Sequence, residues 1–381
     1  MRLLEGKSEN RILSLALILS LEASCCSIAL VPSKASSAAE RPSSLYPEYT
    51  AQSPSLGSAR PSPAPARWRG LIGEYGPDND ILIILESDGK LCALFKRVEL
   101  EPLDEVAKHV FKFPTQGTRA GQQLIFARDA HGRATQVEID QVVLKRRQIG
   151  PEEGAKQLRV KPLRPVPELM KEARAAQPPK ENGEFRPSDL VELTKLDPTI
   201  KLEIRYATTN NFLGTKFYSE ARAFMQRPAA EAVVRANRKL RAQGYLLLIH
   251  DAYRPWYVTK IFWDATPDDK KIFVADPAKG SRHNRGCAVD LTLYDLKTKK
   301  PVEMVSTYDE TTDRAYPEYP GGTSLQRWRR KLLRAAMEAE GFTVYEAEWW
   351  HFDYQDWRQY GIGNVTFDEV GAAPPVPRRE R

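Results

Sequence analysis

Cysteine is scarce in this chain of 381 residues, which has only four. Cys25 and Cys26 lie in an N-terminal leader, whereas Cys92 and Cys287 fall in what we predict to be different domains. The sequence therefore implies no disulfide framework. Neither of these two later cysteines has the Cys-x-x-Cys spacing of a zinc ribbon, so a bound metal would be held by histidine and carboxylate side chains.

Long apolar runs are also missing. The run at residues 12–21 is too short to span a bilayer stably, and Glu22 interrupts it. It follows basic residues and precedes small ones, which is the layout of a secretory signal over residues 1–30. Ala23-Ser24-Cys25 is similar to a lipoprotein cleavage box. We therefore expect an exported protein, periplasmic or extracellular, with Cys25 as a candidate lipid anchor.

A nucleic-acid-binding pattern is absent as well. The formal net charge of +7 is spread along a chain that contains 57 basic and 50 acidic residues. One short basic cluster, residues 145–147, has no base-reading aromatic motif beside it. We therefore expect no nucleic-acid partner, because a positive surface of this kind favours anionic partners such as a cell envelope.

Length and composition divide the chain into two folded units. Single hydrophobic cores usually stop growing at about 250–300 residues, which this chain exceeds. We predict a Pro-, Ser- and Ala-rich tether over residues 31–66 and a second linker over residues 148–185. Between and after them we predict a small β-rich domain (67–147), an α+β domain (186–365) and a disordered tail (366–381).

Short apolar runs separated by turn residues fill the predicted β-rich domain. Residues 81–85 and 91–95 flank Ser87-Asp88-Gly89, and residues 123–128 and 135–144 flank a second turn. These patterns are typical of antiparallel hairpins. No group of side chains in this domain has catalytic or metal-ligand spacing. We therefore predict a binding or spacer module, which would associate the protein with the cell envelope.

Helical and strand patterns mix in the C-terminal unit. Residues 228–243 predict a helix ended by Gly244, and residues 245–249 predict a buried strand. Residues 327–340 predict an amphipathic helix that stops at Gly341. Helices around a short sheet indicate an α+β domain.

Two polar segments of this domain carry a candidate metal site. Apolar residues at 289, 291 and 293 alternate with Asp290, so a strand would bury the apolar set and turn the Asp290 carboxylate into a cleft. Glu348 and His351 are three positions apart, so both face one site only if the strand bulges there. Two imidazoles and a carboxylate are typical of catalytic zinc with an open fourth position. We predict His283, Asp290 and His351 as the ligands of one zinc ion.

Two further residues fit the chemistry of peptide hydrolysis. A carboxylate next to a ligand suits a base that takes a proton from a zinc-bound water and passes it to the leaving amine, and Glu348 has that place. Arg254 follows the apolar strand at 246–249, which sets its guanidinium at a strand end. There it would stabilise the oxyanion that forms as water attacks a peptide carbonyl.

The motifs S-x-H-x-x-G-x-A-x-D, E-x-W-H and Y-R-P, over roughly residues 189–361, resemble those of the zinc D-alanyl-D-alanine dipeptidases of the VanX type. The resemblance implies a Hedgehog/DD-peptidase-like fold and the same three zinc ligands, with one Zn2+ per catalytic domain. It also implies Glu348 as general base and acid, and Arg254 on the scissile carbonyl oxygen. The implied substrate is D-Ala-D-Ala or a peptide derived from peptidoglycan.

A substrate pocket is also implied by the resemblance. In that family a Met-Gly-Thr-x-Phe-Asp stretch supplies an aspartate that holds the substrate ammonium, and Met304–Asp309 occupies its place here. The resemblance therefore assigns this role to Asp309, although Val305 and Ser306 replace the glycine and the threonine. Ser281, which opens the first motif, is predicted to line the same pocket.

Two other functions remain open at this point. A zinc carboxypeptidase that trims peptidoglycan stems would use the same ligands with a more open groove, and activity on a pentapeptide would identify it. A non-catalytic zinc-containing module would tend to lose Glu348 or Arg254, and both are present. An exported dipeptidase would meet peptides released from cell wall, which favours wall turnover or scavenging over glycopeptide resistance.

Overall fold

The computed structural model describes residues 59–150 and 159–370, all within one compact unit of the chain. The predicted signal at residues 1–30, most of the predicted tether and residues 371–381 of the predicted tail lie outside the described residues. No helix in the described ranges combines the length and the apolar character needed to cross a bilayer.

Residues 73–145 form an eight-stranded sheet in which each strand pairs antiparallel with the next one along the chain. A bridge between Tyr75 and Arg146 returns the end of the last strand to the first, so the meander closes on itself. We call residues 73–145 the β-barrel domain. Its strands are β1 (Gly73–Tyr75), β2 (Leu82–Ser87), β3 (Lys90–Phe95), β4 (Glu99–Ala107), β5 (Val110–Lys112), β6 (Gln123–Arg128), β7 (Ala134–Ile139) and β8 (Val142–Lys145). The short helix α1 (Ala66–Arg69) precedes them.

One of the predicted runs in this domain is two strands rather than one. The run at residues 135–144 is interrupted at Asp140 and Gln141, whose φ angles are 48° and 64°. Two consecutive left-handed residues make the tight turn that matches the twist of a two-residue hairpin. The turn carries no glycine, which is why the apolar pattern reads as continuous.

The C-terminal domain has mixed helix and sheet content around a six-stranded sheet. Its strand order is β10-β12-β13-β16-β15, with β14 paired to β13, and β9 and β11 pair separately. The strands are β9 (Leu190–Glu192), β10 (Lys201–Leu202), β11 (Phe224–Gln226), β12 (Tyr245–Asp251), β13 (Ala288–Asp295), β14 (Lys300–Pro301), β15 (Phe342–Tyr345) and β16 (Glu348–Tyr354). The helices are α2 (Val166–Ala175), α3 (Leu193–Leu196), α4 (Arg227–Ala242), α5 (Trp256–Ala265) and α6 (Ser324–Glu338).

The two long helices predicted in this domain are confirmed as α4 and α6. Gly244 and Gly341 follow them with φ angles of 84° and 86°, the left-handed conformation in which glycine commonly ends helices. Helix α6 begins three residues earlier than predicted because Thr323 and Gln326 form a capping box. Reciprocal side-chain and backbone hydrogen bonds there define the first turn.

The predicted linker differs from the structure because it contains helix α2. Val166, Leu169 and Ala173 are buried in the core of the C-terminal domain, and their spacing places them on one helix face. Pro165 precedes the helix, where its fixed φ is compatible with a helix start. One of the prolines in this segment therefore marks the start of a helix, whereas the others lie in the connecting chain or within that helix.

The predicted tether and tail also contain packed residues. Ala64 is buried, and the Arg60 guanidinium lies 5.7 Å from the ring centroid of Tyr245. At the other end Phe367 is 3% exposed, and its ring centroid is 4.6 Å from that of Tyr218. The folded part of the chain therefore extends beyond both boundaries, because single apolar side chains in polar segments reach the core.

Candidate active site

Two aspartates and one histidine lie side by side across the central sheet. Asp290 of β13 pairs directly with Asp251 of β12 on one side and with His351 of β16 on the other. Directly paired residues of an antiparallel ladder present their side chains on the same face. The strand order therefore brings together residues that are far apart in the sequence.

His283 reaches this row from a short 3-10 turn, residues 283–285, immediately before β13. Gly286 ends the turn at φ 67°, and a Cβ atom built there would lie 2.6 Å from the Leu190 side chain. The glycine of the S-x-H-x-x-G motif is thus required by both backbone conformation and close packing. Ser281 accepts a hydrogen bond from the His283 amide at 3.2 Å, so its observed contact supports this turn.

The predicted bulge between Glu348 and His351 is confirmed. Along β15 the partner of Val344 is Phe352, whereas the partner of Tyr345 is Glu348. The intervening residues of β16 therefore have no counterpart on β15, which breaks the alternation of a flat strand. As a result a carboxylate oxygen of Glu348 lies 3.9 Å from Nδ1 of His351.

The ligand atoms of the three predicted zinc ligands converge. Nε2 of His283 lies 3.2 Å from Nδ1 of His351, and these atoms lie 3.4 and 2.9 Å from Oδ1 of Asp290. A metal bound tetrahedrally at about 2.0–2.1 Å keeps its ligand atoms about 3.3 Å apart. Within the described residues this is the one group of histidine, cysteine and carboxylate side chains arranged to hold a metal ion.

Hydrogen bonds behind the ligands define which ring nitrogens are free. Nδ1 of His283 donates to the carbonyl oxygen of Ala252 at 2.7 Å, because a carbonyl can only accept. Nε2 of His351 donates to Asp353 at 3.0 Å. Each neutral ring therefore turns a lone pair toward the shared centre, where Asp290 adds a third acceptor. Three buried acceptor atoms that converge in this way can hold a cation.

The same contacts shift the pKa values of Asp290 and His351. Burial lowers the pKa of His351, but hydrogen bonds to Asp290 and Asp353 outweigh it and raise the pKa to about 10. Burial alone would raise the pKa of Asp290, and the two imidazoles instead hold it well below its usual range. Without a metal, Asp290 and Asp353 thus favour a proton on His351, and a metal ion takes the place of that proton.

Arg254 is a rigid cation beside the metal ligands. Its Nε and Nη2 atoms donate to Oδ2 of Asp251 at 2.9 and 2.8 Å, and Asp251 also accepts from the Tyr218 hydroxyl at 2.7 Å. The guanidinium carbon lies 5.2 Å from the ring centroid of Tyr206. Nη2 is 4.0 Å from Oδ2 of Asp290. The ion pair occupies one edge of the guanidinium and leaves Nη1 outside it.

Asp309 lies near the same group of charged side chains. Its carboxylate accepts from the Tyr206 hydroxyl at 3.4 Å, and its φ is 61°. Burial, followed by the charges of Asp290 and Glu348, raises the pKa of Asp309 to about 8. The preceding Tyr308 donates its hydroxyl to Oδ2 of Asp290 at 2.9 Å, which leaves Oδ1 directed at the imidazoles. The cleft is therefore rich in carboxylates and favours a cationic group.

The two departures from the family motif at Val305 and Ser306 have different consequences. The Ser306 hydroxyl accepts a hydrogen bond from the indole nitrogen of Trp349 at 2.8 Å, so the hydroxyl that a threonine would supply is kept. Val305 is 8% exposed and packs against the β-barrel domain rather than into the cleft.

Sequence reasoning missed several residues that hold the site together. Asp251, Tyr308 and Asp353 each contact a predicted functional residue through a hydrogen bond. Each lies within three residues of a motif residue, so the motifs carried a signal that was not used. Their roles become clear only from the pairing of the strands, which cannot be seen in a single sequence.

The C-terminal domain is similar in sequence to known proteins. Residues 186–362 match the Peptidase_M15 family, described as D-ala-D-ala dipeptidase. The chain is 33% identical over 175 residues to the D-alanyl-D-alanine dipeptidase of Escherichia coli, which covers 46% of this chain and 89% of that protein. It is also 33% identical over 175 residues to the enzyme of that name from Enterococcus faecium (41% of this chain, 87% of that protein). A protein of the same name from Streptomyces coelicolor is 28% identical over 186 residues, 44% of this chain and 92% of that protein.

The matched region contains the whole cluster of histidine, aspartate and glutamate side chains described above, and Peptidase_M15 is a zinc-dependent family. The chain belongs to the Peptidase_M15 family of D-Ala-D-Ala dipeptidases and is a metallo-dipeptidase.

Proposed function

We propose that this protein hydrolyses D-alanyl-D-alanine to two D-alanines with one zinc ion, held by His283, Asp290 and His351. The observation that carries the proposal is the convergence of three lone-pair acceptors at 2.9–3.4 Å from one another. Zinc is the ion that suits two imidazoles and one carboxylate with an open fourth position.

When bound, the zinc ion lowers the pKa of a coordinated water and polarises the scissile carbonyl. In the mechanism that we propose, Glu348 accepts the proton of the attacking water and delivers it to the leaving amine. Burial in the cleft, together with the charge of Asp290, raises the pKa of Glu348 above its ordinary value. A carboxylate shifted in this direction exchanges protons more readily near neutral pH, as a general base and acid must.

Two charged side chains recognise the two ends of the reaction. Arg254, fixed by Asp251, donates to the carbonyl oxygen as negative charge develops there. Asp309 binds the ammonium of the substrate, which supplies the cation that this buried carboxylate lacks. Ser281 supports the His283 turn and lines the pocket from that side. A carboxylate that binds the free ammonium of the substrate favours a dipeptide over a longer stem peptide.

The substrate preference is tested by comparing D-Ala-D-Ala, L-Ala-L-Ala and a stem pentapeptide, each with and without a chelator. We expect hydrolysis of the D,D-dipeptide, complete loss with the chelator and recovery when zinc is restored. Equal or faster removal of the terminal residue from the pentapeptide would identify a carboxypeptidase instead. Zinc binding without hydrolysis of any of the three peptides would identify a non-catalytic module.

We expect Arg254→Lys to lower kcat for D-Ala-D-Ala by about 10²–10³-fold, the usual effect of losing one donor to a developing oxyanion. Lysine keeps the charge but loses the planar fork that Asp251 holds. Steady-state kinetics would measure the effect, with Arg227→Lys as the control because Arg227 forms an ion pair with Asp189 on the exposed surface. An unchanged kcat in Arg254→Lys would remove this arginine from the mechanism.

We also propose that the protein acts outside the cytoplasm, in the turnover or scavenging of cell-wall peptides. The support is the layout of residues 1–30, and association with the envelope would come through Cys25 or the β-barrel domain. Fractionation of cells that express the full chain and Cys25→Ala tests this. We assign the C-terminal domain to the Hedgehog/DD-peptidase-like fold, because one mixed sheet presents Asp290 and His351 side by side.

A further inference from the structure

The segment at residues 304–323, which we call the amine loop, connects β14 to α6 and carries Asp309. It contains one short 3-10 turn, Asp313–Ala315, and is otherwise irregular. Several of its side chains are nevertheless buried, including those of Val305, Tyr308 and Tyr319. Irregular segments normally lie on the surface, so a buried one needs packing partners from elsewhere.

The β-barrel domain supplies apolar partners for the amine loop. Strands β2 and β3 are buried on both faces, and alternate residues belong to two different clusters. The residues that face the core of the barrel are Leu82, Ile84, Leu91 and Ala93. The residues that face the amine loop, where they cluster with Val305 and Tyr319, are Ile83, Leu85, Cys92 and Leu94. An antiparallel sheet with two apolar faces requires a cover on each, and the amine loop is the second cover.

Glu86 fixes the end of the amine loop. Its amide donates to the carbonyl of Gly322 at 3.1 Å, and its carboxylate accepts from the amide of Ser324 at 2.8 Å and from the Ser324 hydroxyl at 3.1 Å. Arg327 donates to the Glu86 carbonyl at 2.8 Å. Glu86 is 2% exposed and lies at the N-terminus of α6, where a negative charge is favourable.

A second set of polar contacts fixes the middle of the amine loop. The Tyr319 hydroxyl donates to Glu74 of β1 at 2.7 Å, and Arg97 forms an ion pair with Asp313. Within the loop, Arg314 lies 3.0 Å from Glu310, the residue that directly follows Asp309. Two loop residues on the C-terminal side of Asp309, Asp313 and Tyr319, are therefore tied directly to the barrel.

Val305 contacts the β-barrel domain at a position where the chain departs from the motif that it resembles. A valine side chain stands where the motif has glycine, and it fills the contact with β2 and β3. The family match begins at residue 186, so the β-barrel domain lies outside it. The substitution and the additional domain thus meet at one interface.

We propose that the β-barrel domain is a positioning element of the active site. By holding the amine loop, it places Asp309 where the free ammonium of the peptide binds, and so makes the enzyme selective for peptides with an unblocked amino terminus. Asp309 has a left-handed backbone (φ 61°), a conformation that non-glycine residues adopt rarely, and the contacts of the amine loop hold it there. The inference rests on the proposed role of Asp309 in the hydrolysis of D-Ala-D-Ala.

Two leucines of the same strand give a matched test in the full-length protein. Leu94 of β3 faces the amine loop, whereas Leu91 of β3 faces the core of the barrel, and both are fully buried. The variants Leu94→Ala and Leu91→Ala remove the same atoms from opposite faces of the strand. Kinetics with D-Ala-D-Ala and with N-acetyl-D-Ala-D-Ala, which has no ammonium, separate amine recognition from general loss of folded protein.

In Leu94→Ala we expect KM for D-Ala-D-Ala to rise about tenfold or more, because a small displacement of a positioning group is costly. The kcat value and the zinc content should stay close to those of the wild type, and kcat/KM for the N-acetylated peptide should not change. The preference for the free amine therefore falls by about the same factor. In Leu91→Ala the preference should be unchanged. Equal preferences in both variants and the wild type would overturn the proposal, as would an equal fall in both variants.

A milder pair of variants covers the case in which Leu94→Ala does not fold. Tyr319→Phe removes only the hydroxyl that bonds to Glu74, and Tyr294→Phe removes a hydroxyl bonded to the Lys299 carbonyl in another hairpin. The proposal expects the preference for the free amine to fall in Tyr319→Phe alone. Unchanged preference in Tyr319→Phe would count against it.

Hydrogen exchange separates failure of this inference from failure of the proposed function. We expect faster exchange of the amides of residues 304–323 in Leu94→Ala than in Leu91→Ala. If the wild type hydrolyses neither peptide, the proposed function fails, and with it the inference about selectivity for a free amine. The exchange data would still decide whether the β-barrel domain holds the amine loop. If the wild type prefers the free amine and Leu94→Ala keeps that preference, only the inference fails.

Discussion

Replacement of Glu348 by glutamine is expected to lower kcat for D-Ala-D-Ala by about 10²–10⁴-fold while the protein still binds zinc. Glutamine has nearly the same shape but cannot accept the proton of the attacking water. The Glu348 carboxylate lies 3.9 Å from Nδ1 of His351 and is not one of the three converging ligand groups, so the metal site should remain. Steady-state kinetics and metal analysis of the same preparation would measure both properties. The shorter variant Glu348→Ala should behave in the same way.

The control for this experiment is Glu346→Gln, which makes the same chemical change two residues earlier at an exposed position. Its kcat should equal that of the wild type. If Glu348→Gln kept full activity, another group would have to act as the base. If it lost zinc together with activity, Glu348 would be a ligand rather than a proton carrier.

Replacement of His283 by alanine is expected to remove both the metal and the activity. Two remaining ligands, Asp290 and His351, leave an incomplete site for zinc, which usually has at least three protein ligands in catalytic centres. Zinc should also stabilise the wild type against heat, by about 4 kcal/mol when its concentration is 1,000 times the dissociation constant. We expect this stabilisation to disappear in His283→Ala, which thermal unfolding with and without added zinc would measure.

His131→Ala serves as the control because His131 is exposed in the β-barrel domain. It should keep the zinc-dependent rise in melting temperature and full activity. A zinc-dependent rise of normal size in His283→Ala would mean that the ion binds elsewhere. Full hydrolysis by that variant would overturn the assignment of the metal site.

Some regular elements of the C-terminal domain, among them its two longest helices, could be predicted from the sequence. The helices α4 and α6 combine a clear apolar period with a glycine stop, and the strand β12 is a continuous apolar run directly after Gly244; these signals are local. Local signals were weaker where single residues decide packing. The interpretation of residues 148–185 as a linker missed α2 because its three buried residues are separated by charged ones and surrounded by prolines.

The candidate site could be predicted in its main residues but not in its support. The order and spacing of the motifs identified His283, Asp290 and His351, and the structure brings their ligand atoms together. The three-residue offset of Glu348 and His351 required a bulge, because side chains alternate along a strand. The partners behind them, Asp251 and Asp353, depend on strand register and hydrogen-bond geometry that no local pattern contains.

The β-barrel domain shows the same division most clearly. Its hairpins follow from apolar runs between turn residues, and its strands β2 and β3 read as continuous apolar segments. A continuous apolar strand indicates that both faces of the sheet are buried, but it does not identify which part of the chain covers the second face. That cover is the amine loop, more than 200 residues later in the chain. At its end, hydrogen bonds join Glu86 and Ser324, which are 238 positions apart.

The sequence by itself identified candidate residues for the chemistry: side chains able to bind a metal, to carry a proton and to stabilise an oxyanion, together with some of the helices and strands near them. Chemical identity and local period are properties of neighbouring residues, so they can be read along the chain. Only the tertiary structure decided which nitrogen and oxygen atoms meet at the centre and that the β-barrel domain holds the loop of Asp309. Both depend on contacts between distant segments, whose free energy is realised only when the whole fold is formed.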